Sequence, residues 1–435
     1  MKSRLQVGLF PMVWALAKAL DLVSREVSHH HTRVACLTDS IAVELGLPLA
    51  DRRNLLLAAL LHDAGALSLQ GRLEALSFET DGITHSQAGY ALLSLSPHLA
   101  DVARLVLHHH TSYNLLKSIA PDLSQANIIN LADRLDVMLP RRGGAVESVD
   151  DAVIKLAGNA GTMFHPDYVA ALRRASMRGS LHECFSSPWA LLNRLDPAMA
   201  CETLDTQGLL DFSAVFSHII DFRSRFTATH SRGVAACARK LGELSGFTEE
   251  EQLEIYLAGL LHDIGKLAIS SEILEKPAGL SEDEFHRMKT HPERTAEVLG
   301  EIPGLERVNR WASQHHERVD GSGYPHGLKG PELEIGSRIM AVADIFTALS
   351  EDRPYRSGMT EEQTRSVLTE LCETGALDPI VANLLFANYA ALDAERRGAQ
   401  LSALSEFKAF SEWLEQRTAN GPINNFMEEL HESVG

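Results

Sequence analysis

Histidine and aspartate are the residues of this chain whose types and spacing could do chemistry. In the second half His230, His262, Asp263, His291, His315, His316 and Asp344 follow one another in a series that a metal site could use. Five imidazoles and two carboxylates suffice for two adjacent divalent cations, with one carboxylate shared and positions left for water and substrate. His262 and Asp263 are neighbours. On a helix, adjacent side chains diverge by about 100°, so this pair could address two ions or opposite sides of one. A lone histidine is more often a hydrogen-bonded core residue than a ligand, but seven such residues in one order favour coordination.

The elements that must position them are helices. Apolar residues recur at three and four in "LLLAALLH", "AVFSHIIDF", "VAACARKLGEL" and "IYLAGLLH", while alternating strand patterns are scarce. The chain also repeats itself. "LAALLHDAGAL" at 57–67 returns as "LAGLLHDIGKL" at 257–267, and the same ungapped shift aligns His30 with His230, Val34 with Val234 and Gly46 with Gly246. Beyond that point the order persists with short insertions: "THSQAGYALL" answers "THPERTAEVL", and "IINLADRLD" answers "RIMAVADIF". The expected fold is therefore all-α, two tandem helical modules over 1–200 and 201–395, joined near 193–208. Residues 396–435 add a helical extension without a counterpart, expected to dock on the body or on a second copy in a homodimer.

Composition narrows the partners. At 435 residues the chain exceeds the roughly 250 to 300 at which single cores split, which agrees with a duplication. A net charge of −18 argues against DNA or an acidic membrane surface as partner, so a small phosphorylated ligand would need local cations. The apolar "LQVGLFPMVWALAKAL" near the N-terminus is broken by Pro11 and Lys18 and lacks a cleavage site, which predicts a packed helix and no membrane anchor. Cys36, Cys184, Cys201, Cys237 and Cys372 are scattered without C-x-x-C spacing, suggesting free thiols and a cytoplasmic location.

The series H…HD…H…HH…D resembles the signature of the HD superfamily of metal-dependent phosphohydrolases. With "HDIGK", "HHERVDGSGYP" (315–325) and "DRPYR" (352–356), residues 205–395 are similar to the HD-GYP family, which hydrolyses cyclic di-GMP and in some cases 3′,3′-cyclic GMP-AMP. The resemblance implies a phosphodiesterase that releases a linear 5′-phosphorylated dinucleotide. It also implies two divalent ions, iron or manganese ahead of nickel, cobalt or zinc. Asp263 would then bridge the ions, and Lys266, one turn beyond His262, would meet a non-bridging phosphate oxygen. In "DGSGYP", Gly321 and Gly323 are read as permitting positive φ angles, Pro325 as fixing the loop exit, and Tyr324 as offering its ring or hydroxyl to substrate. Arg353 and Arg356 suit a second phosphate or a guanine edge, or else pair with Glu351 or Asp352.

Two departures stand out. Members with three metals carry a glutamate four residues before the first histidine, where this chain has Phe226. Thr347 replaces the aspartate usual after "ADIF". A nucleotide triphosphohydrolase or monophosphatase would explain the metal residues but not the GYP loop, and a receptor that binds without hydrolysis would be expected to lack ligands.

The first half keeps Glu26, His30, His62, Asp63, His85, His109, His110 and Asp133, filling every ligand position and the glutamate as well. Its substrate apparatus differs: Ala66 stands where Lys266 is, and "HHHTSYNLLKS" replaces the GYP loop. Two readings follow, a second metal site acting on a smaller phosphate ester such as the 5′-phosphate of the linear product, or a non-catalytic regulatory or dimerisation module.

Overall fold

A computed structural model describes residues 5–22, 29–66, 83–139, 148–187, 189–223, 229–274, 276, 278–352 and 357–420. The protein is all-α: Val7–Gly8 and Thr203–Leu204 are the strands among these residues. It divides into two compact units, Gly8–Thr203 and Leu204–Gly435 with residues 1–7.

In the first unit, α1 (Leu9–Asp21) is the apolar helix noted in the sequence, and its residues from Leu9 to Leu20 are buried almost throughout. There follow α2 (His30–Glu44), α3 (Leu49–Leu61), α4 (Ile83–Leu93), α5 (Ala100–Leu107), α6 (Ala126–Met138), α7 (Pro166–Met177) and α8 (Ser180–Ser186). The second unit has α9 (Thr206–Arg223), α10 (His230–Leu244), α11 (Glu249–Leu261), α12 (His291–Leu299), α13 (Glu306–Ser313), α14 (Ile335–Ser350), α15 (Glu361–Glu373), α16 (Pro379–Ala387) and α17 (Tyr389–Asn420).

The repeat is legible in these boundaries. The α2–α3 and α10–α11 pairs both turn through a glycine with positive φ, Gly46 at 67° and Gly246 at 85°, the left-handed geometry that ends a helix cheaply only for glycine. Thr248 then caps α11, exchanging hydrogen bonds with Glu251, while α3 starts after Pro48 without such a cap. Apolar stripes from α10, α11, α14 and α17 form the second core, with Phe346, Leu261, Val234 and Leu392 buried.

One expected boundary can be set against the helices, and one expectation is corrected. The boundary at 395/396 falls inside α17, which starts at Tyr389 and packs along α10, burying Leu392, Ala403, Phe410 and Trp413. Cys36 on α2 and Cys184 on α8 are joined as a disulfide, whereas Cys201, Cys237 and Cys372 are free thiols. The pair is 148 residues apart in sequence, so only packing could reveal it. Among the described residues no helix is long and apolar enough to cross a membrane.

Candidate metal centres

The second unit builds its centre from helix ends. α11 stops at Leu261, so His262 and Asp263 stand just past its last turn. There Gly265 lets the chain touch the start of α12: a Cβ at this position would lie 1.9 Å from the His291 carbonyl oxygen. The Thr295 hydroxyl locks the contact, donating to the His262 carbonyl at 2.8 Å and accepting from the Gly265 N–H at 3.1 Å. His291 opens α12, His315 and His316 follow α13, His230 opens α10, and Asp344 projects from α14. His230, His262 and Asp344 thereby form one cluster, and His291, His315 and His316 another, with Asp263 between them.

Proton positions follow from the hydrogen bonds. The Nδ1 atoms of His262, His291 and His315 donate to the carbonyls of Gly259, Met288 and Ala312 at 2.8, 2.7 and 2.6 Å. A neutral imidazole has one N–H, so each Nε2 is bare. Burial holds His291 and His315 neutral, pushing them down to about 3 and about 4. Yet Nε2 of His291 and Nε2 of His315 lie 3.3 Å apart, two acceptors face to face. That arrangement fits a shared cation. Asp263 completes it: Oδ2 lies 3.3 Å from Nε2 of His262, while Oδ1 lies 3.5 and 3.9 Å from Nε2 of His291 and His315. Oδ1 is buried without a hydrogen-bond partner, as expected of an atom directed at an ion. Although burial opposes it, the adjoining His262 and the Lys266 ammonium hold Asp263 well below the usual carboxylate range.

His230 behaves differently. Its Nε2 is 3.0 Å from Asp344 and its Nδ1 is 3.2 Å from Glu351. Burial lowers it, but the two carboxylates prevail and raise it to about 10.

The first unit repeats this geometry. Oδ2 of Asp63 lies 3.8 and 3.5 Å from Nε2 of His30 and His62, and Oδ1 lies 3.4 and 3.7 Å from Nε2 of His85 and His109. Nδ1 of His62 and His109 again donate to backbone carbonyls, of Ala59 and Val106. Asp63 Oδ1 and Asp133 Oδ2 are buried without hydrogen-bond partners. His110 joins the second cluster, but its Nδ1 also receives a hydrogen bond from Arg134 at 3.1 Å. Arg134 occupies the position of Ile345 in the repeat, and sequence reasoning missed it. Glu26 lies outside the described residues, as does Phe226.

Around the second centre, Lys266 Nζ sits 2.5 Å from Asp263 Oδ2, so its charge stands against the shared carboxylate. The Tyr324 ring packs on His316 with centroids 4.8 Å apart, and Lys289 Nζ lies over the ring at 5.3 Å from its centre. Tyr324–Pro325 is a cis peptide. Gly321 has φ of 83°, as expected, but Gly323 does not have a positive φ. Its glycine is required by close packing, since a Cβ there would lie 2.3 Å from the Arg318 nitrogen. Glu317, unremarked in the sequence, is 2% exposed and accepts hydrogen bonds from the N–H groups of His326 and Leu328, pinning the loop. Its position directly after the histidine pair was the available signal. Arg353 and Arg356 lie outside the described residues.

Comparisons with known proteins follow the same division. The HD domain family matches residues 27–138 and again residues 214–381. A 3′,3′-cGAMP-specific phosphodiesterase of Vibrio cholerae is 30% identical over 400 residues, covering 88% of this chain and 92% of that protein. A cyclic di-GMP phosphodiesterase response regulator of Xanthomonas campestris is 38% identical over 177 residues, covering 40% of this chain and 46% of its own. A solved structure of a cyclic GMP-AMP specific phosphodiesterase from V. cholerae superposes with a TM-score of 0.63 at 23% identity, over 88% of this chain and 98% of that one, which supports the fold. With a relative matched over nearly its whole length and both units matched separately, this chain belongs to the HD-GYP family of HD-domain phosphodiesterases.

Proposed function

We propose that the second unit hydrolyses a cyclic dinucleotide, with 3′,3′-cyclic GMP-AMP as its substrate, and that two divalent cations, iron or manganese, complete its centre. The carrying observation is the split of the Asp263 carboxylate, Oδ2 facing Nε2 of His262 and Oδ1 facing Nε2 of His291 and His315, beside the GYP loop. Divalent cations bound there supply the Lewis acidity that acidifies water near neutral pH and offsets charge developing on phosphorus. His262, His291 and His315 are held as ligands by their backbone carbonyls, so little reorganisation is needed on loading. Lys266 and Lys289 bring local positive charge to an otherwise acidic chain, and Tyr324 offers a ring for stacking a base or a hydroxyl for a phosphate oxygen. The water oxygen bonds to phosphorus, the bond to the 3′ oxygen breaks and that oxygen takes a proton, leaving a linear 5′-phosphorylated dinucleotide. The substrate choice draws on the relative matched along 92% of its length.

A second reading concerns the first unit. Its ligand geometry is as complete among the described residues as that of the second, but Arg134 rather than a lysine at position 66 stands by the centre. This supports removal of a terminal phosphate, a smaller dianion that a planar guanidinium can grip in bidentate fashion.

The test is to inactivate each unit and follow products by chromatography. His262→Ala/Asp263→Ala should abolish ring opening with helical content retained. His62→Ala/Asp63→Ala should leave ring opening intact and let the 5′-phosphorylated linear product accumulate. Ring opening that survives the former pair would overturn the assignment of the second unit; an unchanged product profile in the latter would make the first unit a scaffold or regulator.

A further inference from the structure

The two units hold their first metal-facing histidine with different machinery. In the first unit His30 Nδ1 is 2.7 Å from Asp136, one helical turn beyond Asp133 on α6. Arg33, a turn into α2, grips the same carboxylate at 2.5 and 3.1 Å. The repeat equates Arg33 with Gly233 and, counting three residues on from Asp133 and Asp344, Asp136 with Thr347. Neither replacement can do the same work. Thr347 turns its hydroxyl to the Cys237 sulfur at 3.9 Å, and Gly233 has no side chain.

The vacancy is filled from elsewhere. Glu351, just past the end of α14 and 5% exposed, accepts from His230 Nδ1 at 3.2 Å. Gln400 of α17 donates to the same Glu351 oxygen at 3.1 Å. The Gln400 amide is itself oriented, because its oxygen accepts from Arg396 at 2.6 Å, and the buried Arg396 is anchored on Asp393 at 2.6 and 3.1 Å. Room for Gln400 depends on Gly233: a Cβ there would lie 2.9 Å from its amide nitrogen and 3.0 Å from the Thr347 methyl. The residues at 233 and 347 therefore go with the packing of Gln400 from α17 against α10 and α14.

We infer that Glu351 is the positioning carboxylate of His230, taking over the role that Asp136 plays for His30, and that α17 completes the second centre through Gln400. A carboxylate behind a metal-binding imidazole fixes its tautomer and ring orientation and increases its basicity, and losing such a partner typically weakens metal binding by about 10- to 100-fold. The inference rests on His230 being a metal ligand, as proposed above.

The test uses the full chain carrying His62→Ala/Asp63→Ala, so that Mn²⁺ binding reports the second centre, measured by competition with a chromophoric chelator alongside far-UV circular dichroism. Glu351→Gln keeps the shape and removes the charge; it should weaken Mn²⁺ binding about 10- to 100-fold with helicity unchanged. Gln400→Leu should weaken it by a smaller factor. Adding Thr347→Asp and Gly233→Arg to Glu351→Gln rebuilds the first unit's arrangement and should recover most of the loss; Thr347→Asp alone should recover part. Unchanged binding in Glu351→Gln would overturn the inference, and so would a folded Thr347→Asp rescue no better than Glu351→Gln alone. Unchanged binding in Gln400→Leu would remove α17 from the centre. A parent chain that binds no Mn²⁺ would overturn the ligand assignment itself.

Discussion

At the scale of single residues, the arrangement of imidazole protons makes both centres receptive to cations and sensitive to acid. His62, His85, His110, His291, His315 and His316 are all pushed down by burial, to about 4 for His85 and about 3 for His291. Their unfolded value is near 6.5, so below that pH the unfolded chain binds protons the folded chain refuses, and stability falls by about 1.4 kcal/mol per pH unit for each such group. His30 and His230 run the other way: raised by Asp136 and by Glu351 and Asp344 despite burial, they contribute stability that is full below about pH 6.5 and is lost as pH rises toward their folded values. Six depressed groups outweigh two raised ones. Chelated protein should therefore melt at a lower temperature at about pH 5.5 than at about pH 7.5, and a metal-loaded sample should show a smaller difference because bound cations exclude protons from the same nitrogens. Equal melting temperatures in chelator at the two pH values would contradict this proton inventory.

At the scale of elements, the loop between α13 and α14 is the part of the proposed site that would meet the dinucleotide. Glu317 ties that loop down through the N–H groups of His326 and Leu328. Glu317→Ala leaves two donors without their acceptor and should destabilise the unit by about 1 to 3 kcal/mol. Because the Glu317 carboxylate bonds to the backbone of the loop, KM should rise several-fold while metal content stays at the parental level. Steady-state kinetics with parallel metal analysis checks this, and a fall in metal content matching the fall in rate would show that the loop supports the ligands instead. The HD turn is the opposite kind of element, placing His262 and Asp263 through backbone contact with α12 at Gly265. A side chain there would displace ligands rather than substrate.

At the scale of the whole molecule, each centre is made within one unit, so the two should load independently. Metal analysis should show the content of the parent chain falling by about half in either His-Asp double variant, with additive loss when the variants are combined. If one double variant empties both units, the centres are coupled; if the variant in the first unit leaves the content unchanged, that unit's histidines are held by hydrogen bonds and by Arg134 alone.

The sequence by itself determined the all-helical fold, the duplication and the order of the candidate metal ligands, because these depend on local periodicity and on residue types that recur at a fixed shift. The HD turn needed no long-range information: its glycine, histidine and aspartate lie within a few residues of one another. Asp136 was legible in principle, one helical turn after Asp133. Only the tertiary structure decided the rest. It joined Cys36 to Cys184, assigned Gly323 to packing instead of a turn, and placed Arg134 beside His110. Above all it brought Glu351 and Gln400 to the side of His230 where position 347 offers no carboxylate, Gln400 lying 56 residues past Asp344. A buried imidazole needs an acceptor behind its N–H, but any carboxylate that packing can bring there will serve, and sequence spacing does not say which one does.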